Sequence, residues 1–178
     1  MIVWLNGAFG AGKTSTAGEL AGMLAGVRQF DPEWVGYMLK ANLADHEFTD
    51  FQQLPPWRTL VPVVMDEVCR LTGQHLIAVQ SVLVENYWRQ LRAGLDSRGL
   101  PVFHVLLEAD PAVLAERIRA DEVERGACQW RLDHLSEFAA ARSWMEMAAD
   151  LVVDSTALSV AEVAKTVAAA VQPVLDRD

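Results

Sequence analysis

The sequence predicts an α/β fold, a parallel sheet of short buried strands covered by helices on both faces. Three observations predict it. Short apolar runs alternate with helical stretches along the chain. Those runs are almost wholly apolar, not alternating, as expected of strands buried on both faces. The first of them, Ile2-Val3-Trp4-Leu5, passes through a glycine-rich loop directly into a helical stretch, and right-handed strand–helix–strand units of this kind build parallel sheets.

The elements follow in order. Met1–Leu5 reads as a strand and Lys13–Ala25 as a helix, and Val27–Phe30 is a second strand before a helix over Pro32–Leu43. His46–Leu54 is polar, aromatic and irregular, with Pro55-Pro56 as a break and Trp57–Leu71 helical beyond it. Leu76–Val79 is a third strand and Glu85–Ser97 a helix that stops before Gly99. Pro101–Leu107 is a fourth strand, Pro111–Glu124 a helix broken by Gly126, and Leu132–Ala149 a long helix. Leu151–Val153 and Val160–Val171 close the chain as strand and helix. With no repeat or linker, residues 1–178 are expected to form one domain. Two polar, interrupted stretches are expected to project from it, a substrate-binding insert around 43–58 and a short lid around 122–133.

Between the first strand and helix lies Gly7-Ala8-Phe9-Gly10-Ala11-Gly12-Lys13-Thr14, a complete G-x-x-x-x-G-K-[ST] phosphate loop, continued by Ser15. Glycines let backbone N–H groups turn inward around an anion, and the helix start adds partial positive charge. Lys13 adds a full charge and the Thr14 hydroxyl is a ligand for Mg²⁺. The pattern predicts a nucleoside triphosphate site and leaves the fate of the γ-phosphate open.

Bulk properties narrow the partners. The net charge of −9, with no basic stripe, argues against nucleic acid. No apolar stretch is long enough to span a membrane, and the first run leads straight into the loop instead of a cleavage site. Cys69 and Cys128 have no metal or redox spacing and suit a reducing cytoplasm.

Asp31 ends the second strand, where open α/β sheets bind ligands. Its carboxylate can take a proton from an acceptor hydroxyl or orient a metal-bound water. Asp31-Pro32 is equally a helix cap followed by proline, as is Asp110-Pro111. The strand Leu76–Val79 ends in Gln80-Ser81, where many phosphate-loop proteins place a metal-holding Asp. Arg117, Arg119, Arg125 and Arg131 surround the Gly126 break. Arg117 and Arg125 are expected to balance charge on a transferring phosphoryl group. Trp34, Phe51, Trp57 and Arg58, with Gln80, are expected to line an acceptor pocket for an aromatic or amphiphilic small molecule.

With these residues placed, the chain resembles the small P-loop kinases related to nucleoside monophosphate, shikimate, gluconate and chloramphenicol kinases. It is more similar still to the tunicamycin resistance protein family, through the Ile2–Thr14 opening, Asp31-Pro32-Glu33 and Leu54-Pro55-Pro56-Trp57-Arg58. The resemblance implies a five-stranded parallel sheet of order 2-3-1-4-5, ATP with Mg²⁺ held at Thr14 and Asp31, and antibiotic resistance. It implies that Asp31 activates the acceptor hydroxyl and that Arg117 contacts adenine or phosphate. The lid lacks a tidy pair of arginines, and Asp154-Ser155-Thr156-Ala157 stands where relatives hold adenine without a nucleotide fingerprint. The expected activity is ATP-dependent phosphorylation of a hydroxyl on a tunicamycin-like nucleoside. The alternatives are a metabolic sugar-acid or nucleotide kinase, and an ATP-binding protein that sequesters the drug without chemistry.

Overall fold

The structure is a computed structural model that describes residues 1–123 and 125–177. Five parallel strands, β1 (Ile2–Gly7), β2 (Val27–Phe30), β3 (His75–Val79), β4 (Val102–Glu108) and β5 (Leu151–Asp154), form one sheet of order β2-β3-β1-β4-β5. β1 lies at its centre, with Trp4 in register with Ala78 on one side and His104 on the other. Among the described residues seven α-helices connect and cover the strands: α1 (Lys13–Met23), α2 (Glu33–Asn42), α3 (Pro55–Thr72), α4 (Glu85–Asp96), α5 (Pro111–Ala120), α6 (Cys128–Ala148) and α7 (Val160–Leu175).

The period of two along β1 divides the core between the two faces of the sheet. Val3 and Leu5 pack with Leu20 of α1 and Val163, Val167 and Val171 of α7. Ile2 and Trp4 pack with Trp57, Val61 and Met65 of α3 and Leu91 and Leu95 of α4. Each fully buried aliphatic side chain contributes roughly 1.5–3 kcal/mol, so the sheet is clamped from both sides. Because β1 is flanked by β3 and β4, the loop that follows it opens at the carboxyl edge of the sheet, where the chain direction of sheet growth reverses.

Three expected elements differ. Pro55-Pro56 is not a break but the first turn of α3, where a missing N–H and a fixed φ cost nothing. The helix expected over Pro111–Glu124 stops at Ala120. Asp121 is extended and its Oδ1 accepts from the Val123 N–H at 2.9 Å, a local bond that competes with the helix; Glu124 lies outside the described residues. α6 starts at Cys128, so the expected lid is largely its first turns, preceded by a 3₁₀ turn at Arg125–Ala127. In the 43–58 insert, a 3₁₀ turn at Phe51–Gln53 is capped by Asp50. Phe51 seats against Gly36 of α2, where a Cβ would come within 2.6 Å of its ring.

Candidate active site

The loop between β1 and α1 is held by close backbone contacts. At Gly7, φ is 138° and a Cβ would fall 2.0 Å from the Leu107 carbonyl oxygen. Gly12 caps α1 in the left-handed region at φ 89°, open to glycine and strained for other residues. Asn6 fastens the loop to the end of β3: its Oδ1 accepts from Gly7 N and Val82 N, both at 2.9 Å. Ser81 Oγ donates to Gly7 O at 2.8 Å.

Lys13 Nζ donates to Gly7 O and Ala8 O at 3.0 and 2.8 Å. Burial of the ammonium, and then the neighbouring Arg131 guanidinium, lower its pKa to about 7, while the Glu33 carboxylate partly opposes this. A loop built from N–H groups and one easily charged amine is a receptor for an anion.

Three adjoining clefts surround the loop. The phosphate cleft, about 320 Å³, is lined by Phe9, Gly10, Gly12, Lys13, Thr14 and Ser15, and opposite them by Gln80, Ser81, Arg117 and Asp121. A larger cleft of about 760 Å³ opens beside it, with Arg28, Asp31, Trp34, Met38, Val64 and Val68 in its walls. Thr14, Glu33, Val79 and Arg131 line both. A third, about 310 Å³, lies between Gly10–Gly12 and the segment from Ser155 to Val163, with Arg117 common to it and the phosphate cleft.

The structure brings together part of the expected set. Asp31 is exposed in the larger cleft and its Oδ1 accepts from the Glu33 N–H at 2.9 Å, one residue ahead of Pro32, which takes the N-cap position of α2 expected for Asp31. Trp34 is 69% exposed there, its ring set edgewise to Tyr37. Arg117 donates to Ser155 O at 2.8 Å and Ser155 Oγ at 3.1 Å, which fixes the guanidinium beside the third cleft. Phe9 lies 5.5 Å from Lys13 Nζ and 5.7 Å from the Arg131 guanidinium. The Ala8 and Ala11 methyls are buried in the core below the loop.

Four expected residues stand elsewhere. Trp57 is fully buried and its indole N–H donates to Pro32 O at 3.0 Å. Phe51 packs on Gly36 and on Trp57, 5.4 Å between ring centroids. Arg58 is buried, donating to Gln90 Oε1 at 2.8 Å and to Gln52 O and lying 4.2 Å over the Tyr87 ring. These three buttress the cleft from behind, because a buried guanidinium needs protein acceptors and an indole N–H a carbonyl. Arg125 is exposed and paired with Glu122 at 3.0 Å, outside all three clefts.

In its place stands Arg131, one turn into α6, bound to Asp121 Oδ2 at 2.7 Å. It and Glu33 are charged residues of the wall shared by the two clefts that the sequence reading did not assign to the site. The signal for Glu33 was its position two residues past Asp31, in the first turn of a helix that starts at a strand end.

The AAA domain family matches residues 2–142. The structure of the tunicamycin resistance protein from Deinococcus radiodurans is 32% identical, with TM-score 0.71 over 96% of this chain and 94% of that one. A gluconokinase from Sinorhizobium meliloti 1021 (18% identity, TM-score 0.67, 98% of this chain and 93% of that one) shares the fold. So does the shikimate kinase from Acinetobacter baumannii solved with shikimate (16%, 0.59, 99% and 94%). No curated protein sequence matches the chain. Its phosphate loop, its sheet order and its 32% identity to a relative over nearly the whole length agree: the chain belongs to the tunicamycin resistance protein family and has the fold of the small P-loop kinases.

Proposed function

We propose that this protein is an ATP-dependent phosphotransferase that acts on a hydroxyl of a small molecule, and that its acceptor is a tunicamycin-like nucleoside antibiotic. The observation that carries the reading is the shared wall: Thr14, Glu33, Val79 and Arg131 line both the phosphate cleft and the larger cleft beside it. A donor phosphate and an acceptor hydroxyl bound in the two clefts meet there, which is the positioning that phosphoryl transfer requires. The 32% identity to a tunicamycin resistance protein supports the choice of acceptor.

In this reading the loop N–H groups and Lys13 hold the β- and γ-phosphates. Adenine lies in the third cleft against Arg117, which Ser155 and Thr156 hold in place. The acceptor oxygen forms a bond to the γ-phosphorus as the bond to the bridging oxygen breaks, and ADP leaves. The acceptor proton passes to the carboxylate pair Asp31 and Glu33, and Arg131 offsets the charge that develops.

The donor set fits Mg²⁺. Thr14 and Glu33, on the wall shared by the two clefts, and Asp31, in the larger cleft, would supply its oxygen ligands. The ion, when bound with the nucleotide, neutralises triphosphate charge. Among the described residues no helix is long and apolar enough to cross a membrane, and the reading places the protein in the cytoplasm with its ATP.

The test is mass spectrometry of tunicamycin after incubation with the protein, ATP and Mg²⁺. Repeated gain of one phosphoryl group per drug molecule, beyond one turnover, is the expected result. One observation favours a second reading, sequestration without chemistry: Gln80, a neutral side chain, ends β3 where a metal-holding carboxylate is common. Stoichiometric drug binding with unmodified drug throughout would select it.

A further inference from the structure

The phosphate loop uses glycine at Gly7, Gly10 and Gly12, where the backbone takes a positive φ. Nothing in anion binding by backbone N–H groups calls for an aromatic ring among them, yet Phe9 supplies one, half-buried. Its ring meets two rings of α6 edge to face, Trp130 at 5.1 Å and His134 at 6.0 Å between centroids. Trp130 and His134 stand four residues apart on one face of the helix, with 3.9 Å between their own centroids.

The start of α6 lies outside the core. The buried side chains of this helix are Phe138, Ala141 and Met145, so residues 128–137 add none. Arg131 belongs to this outer half and is bonded to Asp121, which sits in the extended turn beyond α5. The ring cluster joins the outer half directly to the phosphate loop. Edge-to-face pairs of this kind shift an equilibrium by about two- to tenfold each, enough to bias an exposed half-helix toward its docked position.

The same ring stands between two cations of the phosphate cleft. Lys13 Nζ lies 5.5 Å and the Arg131 guanidinium 5.7 Å from its centroid. Like charges this near repel, and the electron-rich face of the ring attracts each of them. Resting on the phosphotransferase reading above for the role of Arg131, we propose that Phe9 is an aromatic clasp: it docks the start of α6 on the phosphate loop through Trp130 and His134, and so positions Arg131 over the phosphate cleft. Phe9 is then a positioning residue, acting on the transferred group only through Arg131.

Amide hydrogen exchange of the whole chain, read over residues 128–135 with α7 as reference, measures the docking. Phe9→Leu keeps an apolar side chain and removes the ring. It is expected to speed exchange over residues 128–135 about tenfold and to leave α7 within about twofold of native. Phe9→Tyr keeps the ring and is expected to restore native exchange. Phe9→Leu is also expected to lower the single-turnover rate of phosphoryl transfer to tunicamycin about tenfold, with affinity for a non-hydrolysable ATP analogue within about threefold of native. In an Arg131→Gln background the same change is expected to lower the rate less than about twofold, because the group that Phe9 positions is already gone. Native exchange in Phe9→Leu, an equal acceleration in α7, Phe9→Tyr exchange as fast as that of Phe9→Leu, or an undiminished loss of rate in the Arg131→Gln background overturns the proposal. If Phe9→Leu does not fold, Trp130→Ala removes the other half of the contact from an exposed position. Alanine is the better helix former, so faster exchange there reports lost docking and native exchange overturns the proposal. A native chain that transfers no phosphoryl group overturns the phosphotransferase reading alone, and the exchange measurements still decide whether Phe9 holds α6.

Discussion

The indole N–H of Trp57 donates to the carbonyl oxygen of Pro32 at 3.0 Å, and this one bond ties the centre of the α3 core to the turn that presents Asp31 and Glu33. Trp57 is fully buried and Pro32 is buried too. Replacing Trp57 by Phe keeps an aromatic ring in the core but removes one of the donors to the Pro32 carbonyl, to which the Val35 N–H still donates at 3.2 Å. A stability loss of about 1–3 kcal/mol is expected, from the bond and the smaller ring together. Acceptor KM should rise, while affinity for the nucleotide stays near native, because the phosphate loop hangs from β1. Denaturant unfolding with steady-state kinetics checks both; a variant with native stability and native KM would remove Trp57 from any supporting role.

Lys13 makes nucleotide binding pH-dependent in a stated direction. In the free protein its pKa is lowered to about 7, so at pH 8 most molecules carry it neutral. Triphosphate raises that pKa toward the ordinary lysine range, so binding takes up a proton above pH about 7. Affinity is then expected to fall by up to about tenfold per pH unit from about 7 upward. Lys13→Met should bind nucleotide far more weakly and lose this slope. Calorimetry in two buffers of different ionisation enthalpy reads the proton uptake directly. The same shift makes the unfolded chain bind more protons than the folded one between about pH 7 and the ordinary lysine pKa. Lys13 therefore favours unfolding at pH 7, and Lys13→Met is expected to keep or raise the melting temperature.

The fold was legible because its signals are local and repeated. Ile2–Leu5, Leu76–Val79 and Leu106-Leu107 are apolar on both faces, and one strong motif tells the direction of the first crossover. The phosphate half of the site was legible for the same reason, since Gly7 to Thr14 is contiguous. The larger cleft was not, because it is assembled from β2, α2, α3 and α6 at distances in sequence that no spacing encodes. Trp57 and Arg58 looked like pocket residues because aromatic and cationic side chains beside a proline pair suit a binding loop. Only the packing of α3 against α2 shows that their polar atoms are used up by Pro32, Gln52 and Gln90. Arg125 and Arg131 were indistinguishable by composition. The early start of α6 turned the second of them inward.

That difference between the two arginines is directly testable. The Arg131 side chain is 20% exposed, joined to Asp121 and facing both clefts, whereas that of Arg125 is 72% exposed beside Glu122. Arg131→Gln is expected to lower kcat by about a hundredfold or more with a smaller effect on nucleotide affinity, as for loss of a cation that acts on the transferring group. Arg125→Gln is expected to stay within about twofold of native, since an exposed ion pair contributes about 0–1 kcal/mol. Single-turnover rates on both variants give the answer, and the reverse ranking would move the charge-balancing role back to the 3₁₀ turn.

The two carboxylates at the start of α2 have separable duties. Glu33 lines both clefts, whereas Asp31 lines only the larger one and spends Oδ1 on the Glu33 N–H. Asp31→Asn retains that bond through its amide oxygen, so α2 should survive with little loss of stability. Glu33→Gln keeps the length of the side chain and removes its charge. If the pair takes the acceptor proton, both variants lose turnover, by about 10²–10⁴ for the residue that receives it, and the geometry assigns the larger loss to Glu33. Nucleotide should still bind to each. In Glu33→Gln the Lys13 pKa should fall further, because the one carboxylate that opposes the lowering has been neutralised, which moves the onset of the pH-dependent loss of nucleotide affinity to lower pH. That displacement separates Glu33 as a charge beside Lys13 from Glu33 as a distant helix-start residue. Protection of cells by both variants at native levels, with unmodified drug recovered from the wild type, would instead select binding without transfer.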